Sequence, residues 1–124
     1  MDDAAVQIDG VNLAAVYILN NEQDKADQVL IKSFGEVEVP DMILVQVYSR
    51  VKNYKRLAGI WRALVKKSPN NLEFRKNLSG AQLLANQKIA AIRTLEEAIK
   101  DFPEFKEEGE KLIKEINWNK YIFI

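Results

Sequence analysis

Two apolar runs in this chain end in lysine and then stop at a proline, at Lys66-Lys67-Ser68-Pro69 and Lys100-Asp101-Phe102-Pro103. The two prolines are 34 residues apart. Proline disfavours helical geometry at the residue before it, so each one marks a helix end. Before Pro69, Leu57, Trp61, Leu64 and Val65 fall at i, i+4, i+7 and i+8, which is one face of a helix. Shifted by 34, that face becomes Ala91, Leu95, Ala98 and Ile99. Only Leu44/Leu78, Lys66/Lys100 and Pro69/Pro103 keep their identity across the shift, so size and character repeat rather than spelling. A repeat of this length describes a unit that cannot bury its apolar face alone and has to stack on its neighbours.

A further copy lies upstream at an interval of 31, with Leu13 and Tyr17 matching Leu44 and Tyr48. Its second helix is expected over about residues 23–34, with Ala26, Leu30 and Phe34 inward. Gly35 would stop it, free to adopt left-handed geometry. Each turn within a unit holds asparagine (Asn20/Asn21, Asn53, Asn86), a residue that tolerates positive φ. The expected architecture is all-α, one domain over residues 1–124. Its helical hairpins run over about 8–35, 40–68 and 71–101. A capping helix follows at about 104–116 with Phe105, Leu112, Ile113 and Ile116 inward, then an apolar tail at 117–124.

At these positions the chain resembles the tetratricopeptide repeat (TPR) family. Residues 38–71 supply Leu44, Tyr48, Tyr54, Trp61, Leu64 and Pro69 at the signature sites, and 72–105 supply Leu78, Ser79, Ala91, Leu95, Ala98 and Pro103. The first unit supplies Leu13, Ala14, Tyr17 and Ala26 but departs in its short second helix and its link. The resemblance implies a right-handed α-solenoid whose concave groove is lined by the first helix of each hairpin. By position, Met42, Gln46, Ser49 and Arg50 would face that groove, followed by Glu73, Lys76, Asn77 and Gly80. Val11, Ala15, Ile18 and Leu19 would form its apolar N-terminal end, unless Met1–Gly10 or a neighbouring repeat covers them. Leu83 is a further position, with Glu110 and Lys114 on the last helix. Lys76-Asn77 is a fragment of the carboxylate clamp of some TPR proteins, but Gln46 and Gly80 stand where the other clamp residues are expected. The segments "YKRLAGIW", "SPNN" and "AIRTLEEAIKDFPEFKEEGEKLIKEI" also resemble the C-terminal TPR part of O-antigen-ligase-like bacterial membrane proteins. That resemblance implies an accessory domain whose parent carries the glycan chemistry in its membrane part.

The chain has no cysteine and no histidine. Disulfides, thiolate nucleophiles, Cys/His zinc sites and Ser-His pairs are therefore excluded. No enzymatic activity, cofactor or metal site is expected, and Glu107, Glu108 and Glu110 lack the spacing of an oxygen-ligand loop. The N-terminus is acidic with no basic stretch, so no signal peptide is read.

Net charge is zero, yet the charges are sorted along the chain. Residues 1–49 carry nine acidic side chains against Lys25 and Lys32, and residues 50–93 carry eleven basic ones against Glu73 alone. Either neighbouring helices neutralise each other, or a basic face of Lys55, Arg62 and Lys66 meets an anionic partner. Nucleic acid is disfavoured because no aromatic platform interleaves with the basic residues. The tail, with Trp118, Tyr121 and Phe123, would fold back or dock into another molecule, a second copy included. The expected function is a non-catalytic protein–protein interaction module binding a peptide or acidic partner. Self-association is an alternative, and membrane contact is expected only indirectly or through a parent protein.

Overall fold

The structure, a computed structural model, describes the backbone of residues 3–122 and the side chains of residues 7 and 9–118. Among the described residues there are seven α-helices and no strand. They are α1 (Asp3–Leu19), α2 (Gln23–Phe34), α3 (Met42–Arg50), α4 (Tyr54–Lys67), α5 (Leu72–Leu84), α6 (Lys88–Asp101) and α7 (Lys106–Ile122), with a 3-10 turn at Pro103–Phe105.

The turns inside the hairpins repeat atom for atom. After α1, α3 and α5 one residue adopts positive φ: Asn21 at 60°, Lys52 at 59° and Asn86 at 62°. The following N–H then reaches back to a carbonyl five residues earlier: Glu22 to Tyr17 (2.8 Å), Asn53 to Tyr48 (3.0 Å) and Gln87 to Gln82 (2.8 Å). This is the Schellman closure, which satisfies carbonyls orphaned at a helix end. The three turns are spaced by 31 and then 34 residues, the intervals read in the sequence. In the middle turn the left-handed residue is Lys52 rather than the expected Asn53. Asn53 instead caps α4, accepting from the Arg56 N–H at 3.3 Å.

The links between hairpins close differently. Ser68 and Phe102 bond back to Leu64 and Ala98 (2.9 and 2.8 Å), and the next proline prevents continuation. Asn71 then caps α5, accepting from Phe74 at 3.1 Å. At the first link Gly35 ends α2 with φ 81°, as a C′ glycine should, and Asp41 caps α3 at 2.8 Å.

Consecutive helices pack against each other, except that α3 lies on α1 rather than on α2. A side-chain bridge joins those two: Gln23 Nε2 donates to Tyr48 Oη at 2.9 Å. One core runs from α1 to α5 around Leu30, Leu44, Tyr48 and Ile60, with Trp61 stacked at a tilt on Phe74 (5.5 Å). A second forms around Leu95, Ala98, Phe105 and Ile116, between α6 and α7.

Two boundaries differ from the sequence reading. The first helix begins at Asp3 rather than near residue 8, so residues 3–10 extend α1 and do not fold over it. The last helix runs to Ile122 instead of 116, because no glycine or proline breaks "NWNKYI". Within the described residues there is consequently no separate tail. The Tyr121 side chain and Phe123 lie outside them.

Candidate partner-binding groove

The first two hairpins meet through α1 and α3 and the last two through α4 and α5, which gives the molecule two edges. The α1–α2 and α3–α4 turns meet around a cleft lined by Leu19, Asn21, Gln23, Val51 and Lys52. Gln7, Phe34, Pro40 and Lys67 gather at the opposite end. We call these the asparagine edge and the proline edge.

Between the edges, α3 and α5 flank a cleft of about 330 Å³. Its floor is apolar: Val45, Leu57, Trp61, Ala81 and Leu84. Ser49, Lys76, Asn77 and Gly80 complete the lining, and all four belong to the expected groove set. Gly80 leaves a gap, since a Cβ built there would meet nothing within 4 Å. Met42, Gln46, Arg50 and Glu73 are exposed but are not among the residues lining this cleft. Leu83 is exposed beside it.

Lys76 forms the wall toward α7. Its Nζ lies 3.0 Å from Glu108 and 3.4 Å from Glu73, above the Phe105 ring. The hydrogen bond to Glu108, reinforced by the two negative charges, raises its pKa and keeps it cationic. Any carboxylate entering the cleft at Lys76 has to compete with those two.

Four of the eleven basic side chains in residues 50–93 pair with carboxylates of the other charge blocks. Arg56 pairs with Asp27 at 2.7 Å and Arg62 with Glu38 at 3.2 Å, tying the basic block to the acidic N-terminal block. Arg75 pairs with Asp101 at 2.7 Å, and Lys76 with Glu108, tying it to the C-terminal block. Lys55, Arg62 and Lys66 are all exposed on α4. The link nevertheless crosses their stripe, where Glu38 packs over Gly59 and takes Arg62 through both carboxylate oxygens.

Some expected groove residues are core instead. Val11, Ala15 and Ile18 are buried because α1 presses them against α2 and α3, whereas Leu19 stays 46% exposed. Leu13 is 45% exposed although its counterpart Leu44 is fully buried. The reason is positional: α1 covers α3, and among the described residues no helix covers the outer face of α1. Trp118 is 65% exposed on α7. The asparagine edge, with its apolar and basic tips, was not singled out by sequence reasoning. Its residues come from four separate segments, and only the stacking gathers them.

No family model, curated protein or solved structure matches this chain.

Proposed function

We propose that the chain is a non-catalytic interaction module, a TPR-type right-handed stack of three hairpins closed by α7, whose α3/α5 cleft receives a peptide segment. The observation that carries this reading is the cleft itself. Positions chosen from the repeat register, Ser49, Lys76, Asn77 and Gly80, line one apolar-floored depression. The recurring turn geometry at intervals of 31 and 34 supports the repeat reading. A cleft held by packed helices is formed before binding, which limits the ordering cost of the complex. Its chemistry favours a segment with one apolar anchor flanked by groups that hydrogen-bond Ser49 and Asn77. An acidic group next to Lys76 has to displace Glu108 or Glu73 from its ammonium, so a neutral hydrogen-bonding flank is favoured there.

Gly80 provides the test. The Cβ of a leucine there meets nothing within 4 Å and its side chain would fill the gap, while replacing glycine inside a helix removes about 1 kcal/mol of backbone penalty. The probe is a panel of short peptides carrying a single Leu, Phe or Trp among Asp/Glu, Ser or Lys residues, read by fluorescence polarisation. The expected result is binding of members carrying the apolar anchor that falls at least about tenfold in Gly80→Leu, while thermal stability holds or rises. Binding equally strong in Gly80→Leu, or no binder in the panel, sinks the proposal.

A further inference from the structure

The apolar side chains that packing leaves exposed are not scattered evenly. Of the eleven large ones with high exposure, Leu19, Val51, Leu83, Leu84 and Ile89 sit on the turns or helix ends of the asparagine edge, and Trp118 lies in the second half of α7, which runs back along α6 from the proline edge. Ile89 is 75% exposed, more than any other large apolar side chain described. The proline edge has Ile31, Met42 and Ile43 of this set. Apolar groups left exposed at turns gain no burial from the fold that holds them there, and a set of them along one edge marks an interaction surface.

Charge follows the same edge. Among the described residues, Arg50, Lys52, Lys55 and Lys88 form no ion pair, against two likewise unpaired carboxylates, Asp24 and Glu115. Lys52 is the informative member. It occupies the left-handed position that asparagine fills in the other two turns. That conformation is strained for a side chain with a long stem, and asparagine tolerates it better. A cation has thus been kept at the outermost point of the middle turn against the local conformational preference.

We infer that the asparagine edge docks onto an anionic phospholipid surface, with Ile89, Val51 and Trp118 entering the headgroup region and Lys52, Lys88, Arg50 and Lys55 meeting phosphate groups. Aliphatic and tryptophan side chains partition into this layer, and each lysine near an anionic surface adds favourable electrostatic energy. No helix among the described residues is long and apolar enough to cross a membrane, so the contact is peripheral. An acidic protein would satisfy the cations, but it would not account for isolated, splayed apolar tips on rigid turns. This surface shares Leu84 with the α3/α5 cleft, but none of the residues assigned to lipid contact lines that cleft, and its test does not depend on that reading.

The test is co-sedimentation of the full chain with phosphatidylcholine vesicles, with and without phosphatidylglycerol. The expected result is binding that requires phosphatidylglycerol and weakens as salt screens the charges. Lys52→Asn and Lys88→Gln should each weaken it about fivefold, and Ile89→Ser with Trp118→Ser about tenfold or more. In Trp61→Phe, Trp118 is the sole tryptophan, and its emission should shift to the blue on binding. Lys66→Gln with Lys67→Gln, at the proline edge, should leave binding unmoved, as should Gly80→Leu. The inference is overturned by absence of binding at low salt or by equal binding to phosphatidylcholine alone. Binding unmoved by the edge substitutions, or lost equally in the proline-edge pair, overturns it as well.

Discussion

At the proline edge the Arg75 guanidinium bonds the Pro69 carbonyl at 2.7 and 3.1 Å, pairs with Asp101 at 2.7 Å and lies over the Phe102 ring. One side chain thus ties the end of the second hairpin to the end of the third. At the asparagine edge the backbone closes each turn through Schellman bonds, and the side-chain bonds there, Asn53 accepting from Arg56 and Gln23 donating to Tyr48, serve the helix starts rather than the turn tips. Both edges use backbone bonds, yet at the proline edge a side chain, Arg75, holds the link as well. Where backbone suffices, side chains are free to be apolar or cationic toward something else. That division of labour separates structure from interaction in this molecule.

The comparison can be broken at its strongest point first. Phe105 is 2% exposed and anchors the second core beneath the last proline turn. Phe105→Ala should cost about 3–5 kcal/mol by denaturant titration, the usual range for a buried aromatic. A loss below about 1 kcal/mol would mean that the proline edge does not hold α7 in place. Arg75→Ala should follow at about 2 kcal/mol, since three hydrogen bonds to a buried-stem guanidinium go at once and the Pro69 carbonyl loses its partner. The double variant should show coupling between the two, because both act on the same turn.

Tyr48→Phe probes the bridge between the first two hairpins and should cost about 1 kcal/mol, one hydrogen bond from Gln23. It also carries a pH signature. Burial raises the Tyr48 phenol above its ordinary value of 10.0, against the opposing effect of the Gln23 bond. A raised value means that the folded state holds the proton more tightly than the unfolded chain. The resulting stability is complete below pH 10.0 and is lost as pH climbs toward the folded value. Lys76, raised above 10.5, adds to the same alkaline decline. Stability measured from neutral to alkaline pH should therefore fall less steeply in Tyr48→Phe than in the parent. An identical slope would remove Tyr48 from the account.

Much of this fold was legible because its signals are local. Pro69, Pro103, Gly35, Asp41 and Asn71 each act on their immediate neighbours, and the structure puts a helix boundary at every one. The second helix of the first unit, read as 23–34, is α2 with those bounds. What was not legible depends on what packs against what. Leu13 and Leu44 hold the same register position, yet one is exposed and the other buried, since only α3 has a helix on that side. Val11, Ala15 and Ile18 read as the groove's apolar end unless Met1–Gly10 or a neighbouring repeat covers them, and packing on α2 and α3 makes them core instead. The last helix was ended too early because Ile116 closes the apolar stripe, although nothing in Asn117–Ile122 forbids another turn. For the candidate cleft, register alone found Ser49, Lys76, Asn77 and Gly80. The apolar floor of Val45 and Leu84 needed the packing that puts α3 and α5 on either side of α4 Leu57 and Trp61.

Lys52→Asn gives the smallest change in stability and the sharpest reading of the two edges, because its sign is opposite to the others. If the middle turn were tuned only for folding, asparagine would serve there as it does at Asn21 and Asn86. The substitution should stabilise the chain by about 0.5 kcal/mol, by easing the left-handed backbone without touching the Asn53–Tyr48 bond. A gain of that sign together with weaker vesicle binding would show stability exchanged for a surface cation at this turn. If stability falls instead, the Lys52 stem contributes packing in the cleft beside Ile18 and Gln23. The lysine would then have a structural reason, and the contrast between an edge whose turn tips the backbone closes and an edge that a side chain holds as well would no longer hold at its central turn.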